Sequence, residues 1–334
     1  MRQFRKILLP FSCLYGSVIR LRHLLYDKGI IKTKSYDFPV ICVGNLSVGG
    51  TGKTPMTEYL IHLLKNDFKV AILSRGYKRK SHGFVLADQS STVETLGDEP
   101  MQYHNKFKDI YVAVDADRQH GIEILRDSLR PGVVVLDDAY QHRKVKAGFN
   151  ILLTSYSDLY VDDLLLPAGN LRDIKSRAKY ADVIVVTKCP EAMDLIQKNN
   201  LLKRIKPRKH QEVYFSKISY GGEIISSEEV QPLSYLRGRH FTLVTGIAKP
   251  DPLVNFLKSK GLQFEHLDYP DHHDFSSQQV GILRSKGIVL TTEKDYMRLK
   301  YKVDDVYYLP INNEILFGER KNFDNQVIGY MKKA

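Results

Sequence analysis

Short apolar runs alternate with stretches of helical spacing along the first two thirds of the chain. Strands are predicted at 40–46, 70–74, 110–114, 133–137, 150–154 and 182–187, and helices at 53–65 and from 115 to about 129. The runs are continuous rather than alternating, which predicts a parallel sheet covered on both faces. Near residue 205 the texture changes. Arg204 to His210 is basic and contains Pro207, and reads as a link. A possible strand at 213–218 follows. A smaller alternation comes next, with strands at 240–246, 263–268 and 287–292 and helices at 251–260 and 276–286.

The first strand runs into Ser47-Val48-Gly49-Gly50-Thr51-Gly52-Lys53-Thr54 and then a helical pattern. That is the layout of a phosphate-binding loop. Glycines let backbone N–H groups close on phosphate oxygens, the lysine neutralises β/γ charge, and the threonine hydroxyl can bind Mg²⁺. Ser47 stands where the motif usually begins with glycine. The expected fold is therefore α/β: a P-loop NTPase-like, mostly parallel sheet flanked by helices, with a second, smaller α/β domain. The expected divisions are 1–34, 35–210 and 211–334, with the final helix able to pack back on the first domain.

The 133–137 strand ends in Asp137 and Asp138, delivering a carboxylate beside the loop where it can bind Mg²⁺ directly or through water. The residues alone do not separate the two. Gly97-Asp98-Glu99-Pro100 reads by itself either as an ordinary acidic turn or as a loop whose adjacent carboxylates orient or deprotonate an acceptor hydroxyl. Arg118 and Arg172 follow strands or lie in loops, where each could hold a phosphate or form a surface ion pair. Arg75 and Tyr77 follow the second strand, at the edge where substrates bind in this architecture. Asp271-His272-His273-Asp274 lacks metal spacing and is read as a histidine closing over the first domain or as a polar turn. Thr187-Lys188-Cys189 lacks the aspartate a guanine-reading segment needs, so ATP is expected over GTP.

Composition narrows the partners. A 334-residue chain with 43% hydrophobic residues can build two cores. Cys13, Cys42 and Cys189 lie far apart without metal spacing and read as reduced and intracellular. The net charge of +12 implies an acidic partner. No zinc knuckle, RNP-type strand or recognition-helix signature accompanies it, so nucleic acid is not expected. Within 1–34, eight basic residues (Arg2, Arg5, Lys6, Arg20, Arg22, Lys28, Lys32, Lys34) face only Asp27. Phe11, Leu14, Tyr15, Val18, Leu21 and Leu25 recur at roughly helical spacing between them. The apolar run is too short to span a bilayer. Two readings remain open: a helix lying on a membrane surface, or one docked on the domain with a solvated basic face.

Together these segments resemble the tetraacyldisaccharide 4′-kinase family of lipid A biosynthesis. The resemblance rests on Val43 to Pro55, Ser74 to Tyr77, Gly97 to Pro100, Asp115 to Arg118, Leu136 to His142, Leu166 to Arg172, Gly246 to Ala248, Asp271-His272 and Thr292 to Asp295, in family order over most of the chain. It implies Mg²⁺- and ATP-dependent phosphorylation of the 4′-hydroxyl of a lipid A disaccharide 1-phosphate. It also implies a peripheral protein, expected to be a monomer, on the anionic cytoplasmic face of a Gram-negative inner membrane. Residue by residue, Lys53 and Thr54 would hold phosphates and Mg²⁺. Asp98 would be the base, with His272 its partner across the cleft. Glu99, Asp137, Asp138 and Gln141 would arrange Mg²⁺ and water. Arg118 and Arg172 would stabilise the moving phosphoryl or grip the acceptor phosphate, and Arg75, Tyr77 and His142 would face the acceptor. One departure is Gly169-Asn-Leu-Arg-Asp173, where the family pattern has Gly-Pro-Leu-Arg-Glu; the shorter acid puts Asp173's role in question. The competing expectations are a switch-type NTPase acting on a protein or cofactor partner, and a basic nucleic-acid-binding protein.

Overall fold

A computed structural model describes residues 4–271 and 273–334, the side chains of Phe4 and Lys6 excepted. In chain order the first part comprises α1 (Leu9–Asp27), β1 (Val40–Asn45), α2 (Lys53–Leu64), β2 (Val70–Ser74), β3 (Val85–Leu86), α3 (Val93–Leu96), α4 (Asp98–Lys106), β4 (Tyr111–Val114), α5 (Arg118–Leu129), β5 (Val133–Asp137), β6 (Phe149–Ser155), β7 (Val183–Thr187), α6 (Leu195–Ile205) and β8 (Glu212–Tyr220). The second part comprises β9 (Glu223–Ile225), β10 (Val230–Pro232), β11 (Phe241–Thr245), α7 (Asp251–Ser259), β12 (Glu265–Asp268), α8 (Ser277–Arg284), β13 (Ile288–Thr292), α9 (Glu293–Leu299) and β14 (Val306–Leu309). The chain then closes with β15 (Ile311–Ile315) and α10 (Arg320–Met331).

One sheet has nine strands in the order β15-β8-β7-β6-β1-β5-β2-β4-β3, parallel except at its two edges. Its strands are buried on both faces, and side chains alternate between two cores. Val40, Ala71, Leu73, Val134 and Leu136 enter one core. Ile41, Val43, Val70, Ile72, Val133 and Val135 enter the other. The register sets Val43 opposite Asp137. The β1 terminus, where the glycine-rich loop begins, is thus one strand away from the acidic end of β5.

The second sheet runs β10-β9-β14-β13-β11-β12, with β11 to β14 parallel. The division expected at 210 falls one strand early, because β8 pairs with β7 in the nine-stranded sheet. The chain also returns to that sheet: β15 pairs with β8, and Phe323, Val327 and Met331 of α10 join its core.

Helix α4 and helix α9 join the two parts. Lys106 on α4 bonds Glu58 of α2 at 2.7 Å and Glu293 of α9 at 3.1 Å, and Lys300 donates to Asn105 at 2.9 Å. Burial, and then the charge of Glu58, pushes Glu293 up to about 7. The folded protein thus holds a proton that the unfolded chain releases above its ordinary pKa near 4.5. This contribution is present below about 4.5 and is lost as pH rises through about 7. In Glu293→Gln that slope is expected to flatten, by on the order of 1–3 kcal/mol across the window. Urea midpoints from pH 4.5 to 8 measure it; parallel curves for the two proteins would contradict the assignment.

Candidate active site

The site forms at the carboxyl edge of β1, β5, β2 and β4, with α9 reaching in from the second part. Gly52 caps α2 at φ +81°, a left-handed conformation open to glycine, and this turns the chain from loop into helix. Lys53 and Thr54 occupy the first turn of α2, behind the loop of Ser47 to Gly52. The loop is held from two sides. Val48 N–H donates to Asn170 O at 2.8 Å and Arg172 N–H to Leu46 O at 2.8 Å. Across from them, Thr187 Oγ1 donates to Thr51 O at 2.8 Å and Lys188 Nζ to Gly50 O at 2.6 Å.

Asp138 is the hub. It lies just past β5 with φ +52°. Arg172 donates to both of its carboxylate oxygens, at 3.1 Å from Nη1 and more closely from Nη2. Lys53 Nζ is 3.7 Å away. Burial alone would raise the Asp138 carboxyl, but Lys53, Arg172 and Arg118 outweigh it and hold it below the usual range. Asp137 has the opposite environment. It is buried at the strand end with Tyr103 OH at 3.4 Å from Oδ2, and its Oδ1 has no partner. Burial, and then the charge of Asp138, pushes it up to about 7. Neighbouring acids are therefore split in character by their surroundings.

Arg118 is buried and donates to the carbonyls of Ala116 (3.0 Å) and Asp138 (3.4 Å), while its Nε has no partner. Gln141 donates to Asn45 O at 2.7 Å. His142 lies 3.8 Å from Asp117, and burial with the Arg118 charge pulls it down to about 4. Arg75 and Tyr77 are exposed on the loop after β2.

Asp98 is the first residue of α4, so the acidic loop expected at 97–100 is a helix start. Gly97 precedes it at φ +91°, and a Cβ there would sit 2.9 Å from Tyr77 O. Glu99 follows and adds to the charge felt by Asp137. Asp98 is buried, and Arg298 of α9 grips it with both arms, Nε to Oδ1 at 3.0 Å and Nη2 to Oδ2 at 2.5 Å. His272 and Arg2 lie outside the described residues. The neighbouring His273 stacks on Tyr269 and bonds Gln279 at 3.0 Å, so its ring faces its own part of the molecule.

The loop, Lys53, Thr54, Arg118, Asp137, Asp138, Gln141 and Arg172 are thus brought together, with His142 beside Arg118 and the Asp98–Glu99 turn reaching them through Glu99. Sequence reading missed Arg298 and gave no site role to Asn45 or Lys188. Asn45 donates to Thr51 Oγ1 at 2.7 Å and accepts from Arg172. A signal for Arg298 was present: it follows the Thr292-Glu-Lys-Asp295 motif by one turn of the same helix. Asp295 there accepts from Gly246 N–H at 2.8 Å and Thr292 Oγ1 at 2.8 Å, tying two quoted motifs together.

Among the described residues, no group of three His, Cys, Asp or Glu could by itself hold a metal ion. The unpartnered Asp137 Oδ1, within range of the charges of Asp138, Lys53 and Glu99, suits a hard cation that takes one or two carboxylates and completes its shell from phosphate and water.

Residues 4–332 match the family model described as tetraacyldisaccharide-1-P 4′-kinase. The tetraacyldisaccharide 4′-kinase of Flavobacterium johnsoniae is 49% identical, over 100% of this chain and 99% of that one. Its counterpart in Bacteroides thetaiotaomicron is 44% identical, over 99% of this chain and 94% of that one. Among solved structures, the "apo" form of LpxK from Aquifex aeolicus in complex with ATP superposes with a TM-score of 0.82 at 33% identity, covering 98% of this chain and 99% of that one.

Proposed function

The chain belongs to the tetraacyldisaccharide-1-P 4′-kinase family, and from that premise we propose that it transfers the γ-phosphoryl of ATP to the 4′-hydroxyl of a tetraacylated glucosamine disaccharide 1-phosphate, giving lipid IVA. The observation that carries the residue assignments is the convergence of Lys53, Arg172 and the Asp137–Asp138 pair on the rim of one glycine loop. Neither a switch-type NTPase nor a nucleic-acid binder is favoured.

In this reading the loop amides of 48–54 and Lys53 bind the phosphates. Thr54 and Asp137, with Asp138, Glu99 and Gln141 around them, would hold Mg²⁺. When bound, the ion neutralises charge on the phosphate oxygens. Arg172, held in plane by Asp138 and Asn45, and Arg118 face the transferring group or the acceptor phosphate. Asp98 orients the 4′-hydroxyl and accepts its proton, with His272 the partner proposed from sequence. Arg75, Tyr77 and His142 face the sugar side. The second part, carrying Arg298, shields the site from water.

The test is transfer of labelled γ-phosphate from Mg-ATP to an acylated glucosamine disaccharide 1-phosphate in detergent micelles. A labelled bisphosphorylated lipid is expected. Label released only as free phosphate would return the switch reading.

The outer face of α1 supports a peripheral contact with a membrane surface; we place that contact on the cytoplasmic face of the inner membrane, and take the protein to act as a monomer, as part of the same proposal. The helix turns small and polar residues inward, Ser12, Gly16 and His23 among them. Its large apolar residues Leu9, Phe11, Leu14, Val18, Leu21 and Leu24 are exposed, alongside Arg20, Arg22 and Lys28. Such a face suits the headgroup–acyl boundary of anionic lipid. Among the described residues no helix is long and apolar enough to cross a membrane. Replacing Phe11, Leu14 and Val18 together by aspartate is expected to weaken sedimentation with anionic vesicles by about 100-fold or more. Unchanged sedimentation would move the anchor elsewhere.

A further inference from the structure

The inner face of α1 is the backing of the phosphate site. Ser12 Oγ donates to Leu165 O at 2.9 Å and accepts from Ala168 N–H at 2.9 Å. Tyr15 OH donates to Arg172 O at 3.1 Å, and Arg22 to Gln141 O at 3.1 Å. The segment that Ser12 and Tyr15 hold, 164–173, is the one laced to the phosphate loop through Asn170 and Arg172. Helix, segment and loop thus form three successive layers, with lipid-suited side chains on the outermost.

His23 is the buried member of this contact. It is 4% exposed and meets Asp173, itself 1% exposed, with Nε2 at 2.6 Å from Oδ1. Its other nitrogen, Nδ1, lies 3.2 Å from Arg143 Nη1, which also donates to His23 O at 2.9 Å. A guanidinium has only donors, so Nδ1 accepts and Nε2 carries the hydrogen that goes to Asp173. Arg143 is fixed in turn by Asp27 at 2.6 Å and by the Tyr26 ring. The same Asp173 oxygen accepts from Ile174 N–H at 2.8 Å, so the carboxylate braces the backbone directly after Arg172. The aspartate that stands where the family pattern has glutamate is thus engaged by α1 and by the backbone that follows it.

Resting on the kinase reading, we propose that His23 is a positioning residue for phosphoryl transfer. Through Asp173 it fixes the segment that presents Arg172 to Asp138 and Asn45, so the lipid-facing helix sets the geometry of the phosphate site. An ångström of slack at such a group costs up to ~100-fold in rate.

The test compares full-length wild type, His23→Leu and His23→Gln for transfer from Mg-ATP to the micellar acceptor. Sedimentation with anionic vesicles and thermal melts are run on the same preparations. His23→Leu is expected to lower kcat by ~10–100-fold, with KM for Mg-ATP within about twofold and vesicle binding unchanged. His23→Gln, which restores a donor to Asp173, is expected to recover most of the loss. Unchanged kcat in His23→Leu overturns the proposal. So does a loss that follows vesicle binding, or one that glutamine does not repair in a folded protein. Should His23→Leu not fold, Tyr15→Phe removes only the hydroxyl on Arg172 O: a lower kcat with intact vesicle binding supports the proposal, and an unchanged kcat overturns it. A wild type that transfers nothing defeats the kinase reading itself and this proposal with it, whereas an active wild type with an equally active variant defeats this proposal alone.

Discussion

Asp98→Ala is expected to lower turnover by ~10²–10⁴-fold while leaving Mg-ATP affinity within about twofold, if, as proposed, Asp98 serves the acceptor and not the nucleotide. The carboxylate stands at the start of α4, apart from the glycine loop that would bind phosphate. Gly97 turns it inward, and Arg298 holds its plane with two bonds. A carboxylate fixed in that way orients a hydroxyl before it takes a proton, and orientation is a large part of the barrier. The variant has a second cost. Arg298 is half-buried, with 9% of its side chain exposed, and would lose its paired charge. Breaking such a pair costs ~3–5 kcal/mol. Stability must therefore be measured beside rate. Asp98→Asn keeps the shape and one oxygen for Arg298 but also removes the paired charge and turns an NH2 toward a guanidinium donor, so turnover of either variant is compared with wild type only at temperatures where its melt shows it folded. Strong loss of ATP binding with normal turnover in Asp98→Ala would remove Asp98 from the acceptor side.

What could be read from sequence was local in the chain. The loop from Ser47 to Thr54 is contiguous, and an apolar strand ending in acid is the usual neighbour of such a loop. The Val43–Asp137 register follows from that adjacency. The Asp98–Arg298 pair spans 200 positions, and no spacing rule connects an arginine on one helix to an acid on another. The same holds for Arg172 and Asn45, which are 127 apart. Two other differences have simpler causes. The basic stretch Arg204 to His210 has the composition of a linker, yet its first two residues end α6 and the rest form the short connection to β8. Gly97-Asp98-Glu99-Pro100 reads as a loop by its polarity, although acids and an early proline in a first turn are helix-start signals. For α1, helical spacing identified the apolar stripe but could not say which way it faced. Here polar and small residues dock inward, the reverse of a core-facing helix.

Lys53→Ala is expected to lower kcat by ~10²–10³-fold and to weaken Mg-ATP binding as well, which distinguishes it from the Asp98 variant. Lys53 is at the first helical position behind the left-handed Gly52, and its Nζ is 3.7 Å from Asp138. The neighbouring cations are engaged elsewhere. Arg172 is bound to Asp138 and Asn45, Arg118 donates to backbone carbonyls, and Lys188 is bonded to Gly50 O. None is set to replace an ammonium at the mouth of the loop without breaking a bond it already makes. Arginine is a poor substitute on the same grounds, since its planar fork is larger and would compete with Arg172 for Asp138. Lys53→Arg should therefore restore little. Removing Lys53 also takes away the first of the charges that hold the Asp138 carboxyl low, so that acid shifts upward in the variant. Steady-state transfer and equilibrium ATP binding, measured on the same preparations, separate these effects. Turnover near that of wild type in Lys53→Ala would take the glycine loop out of the chemistry, leaving Arg172 and Arg118 as the groups that carry the charge of the moving phosphoryl.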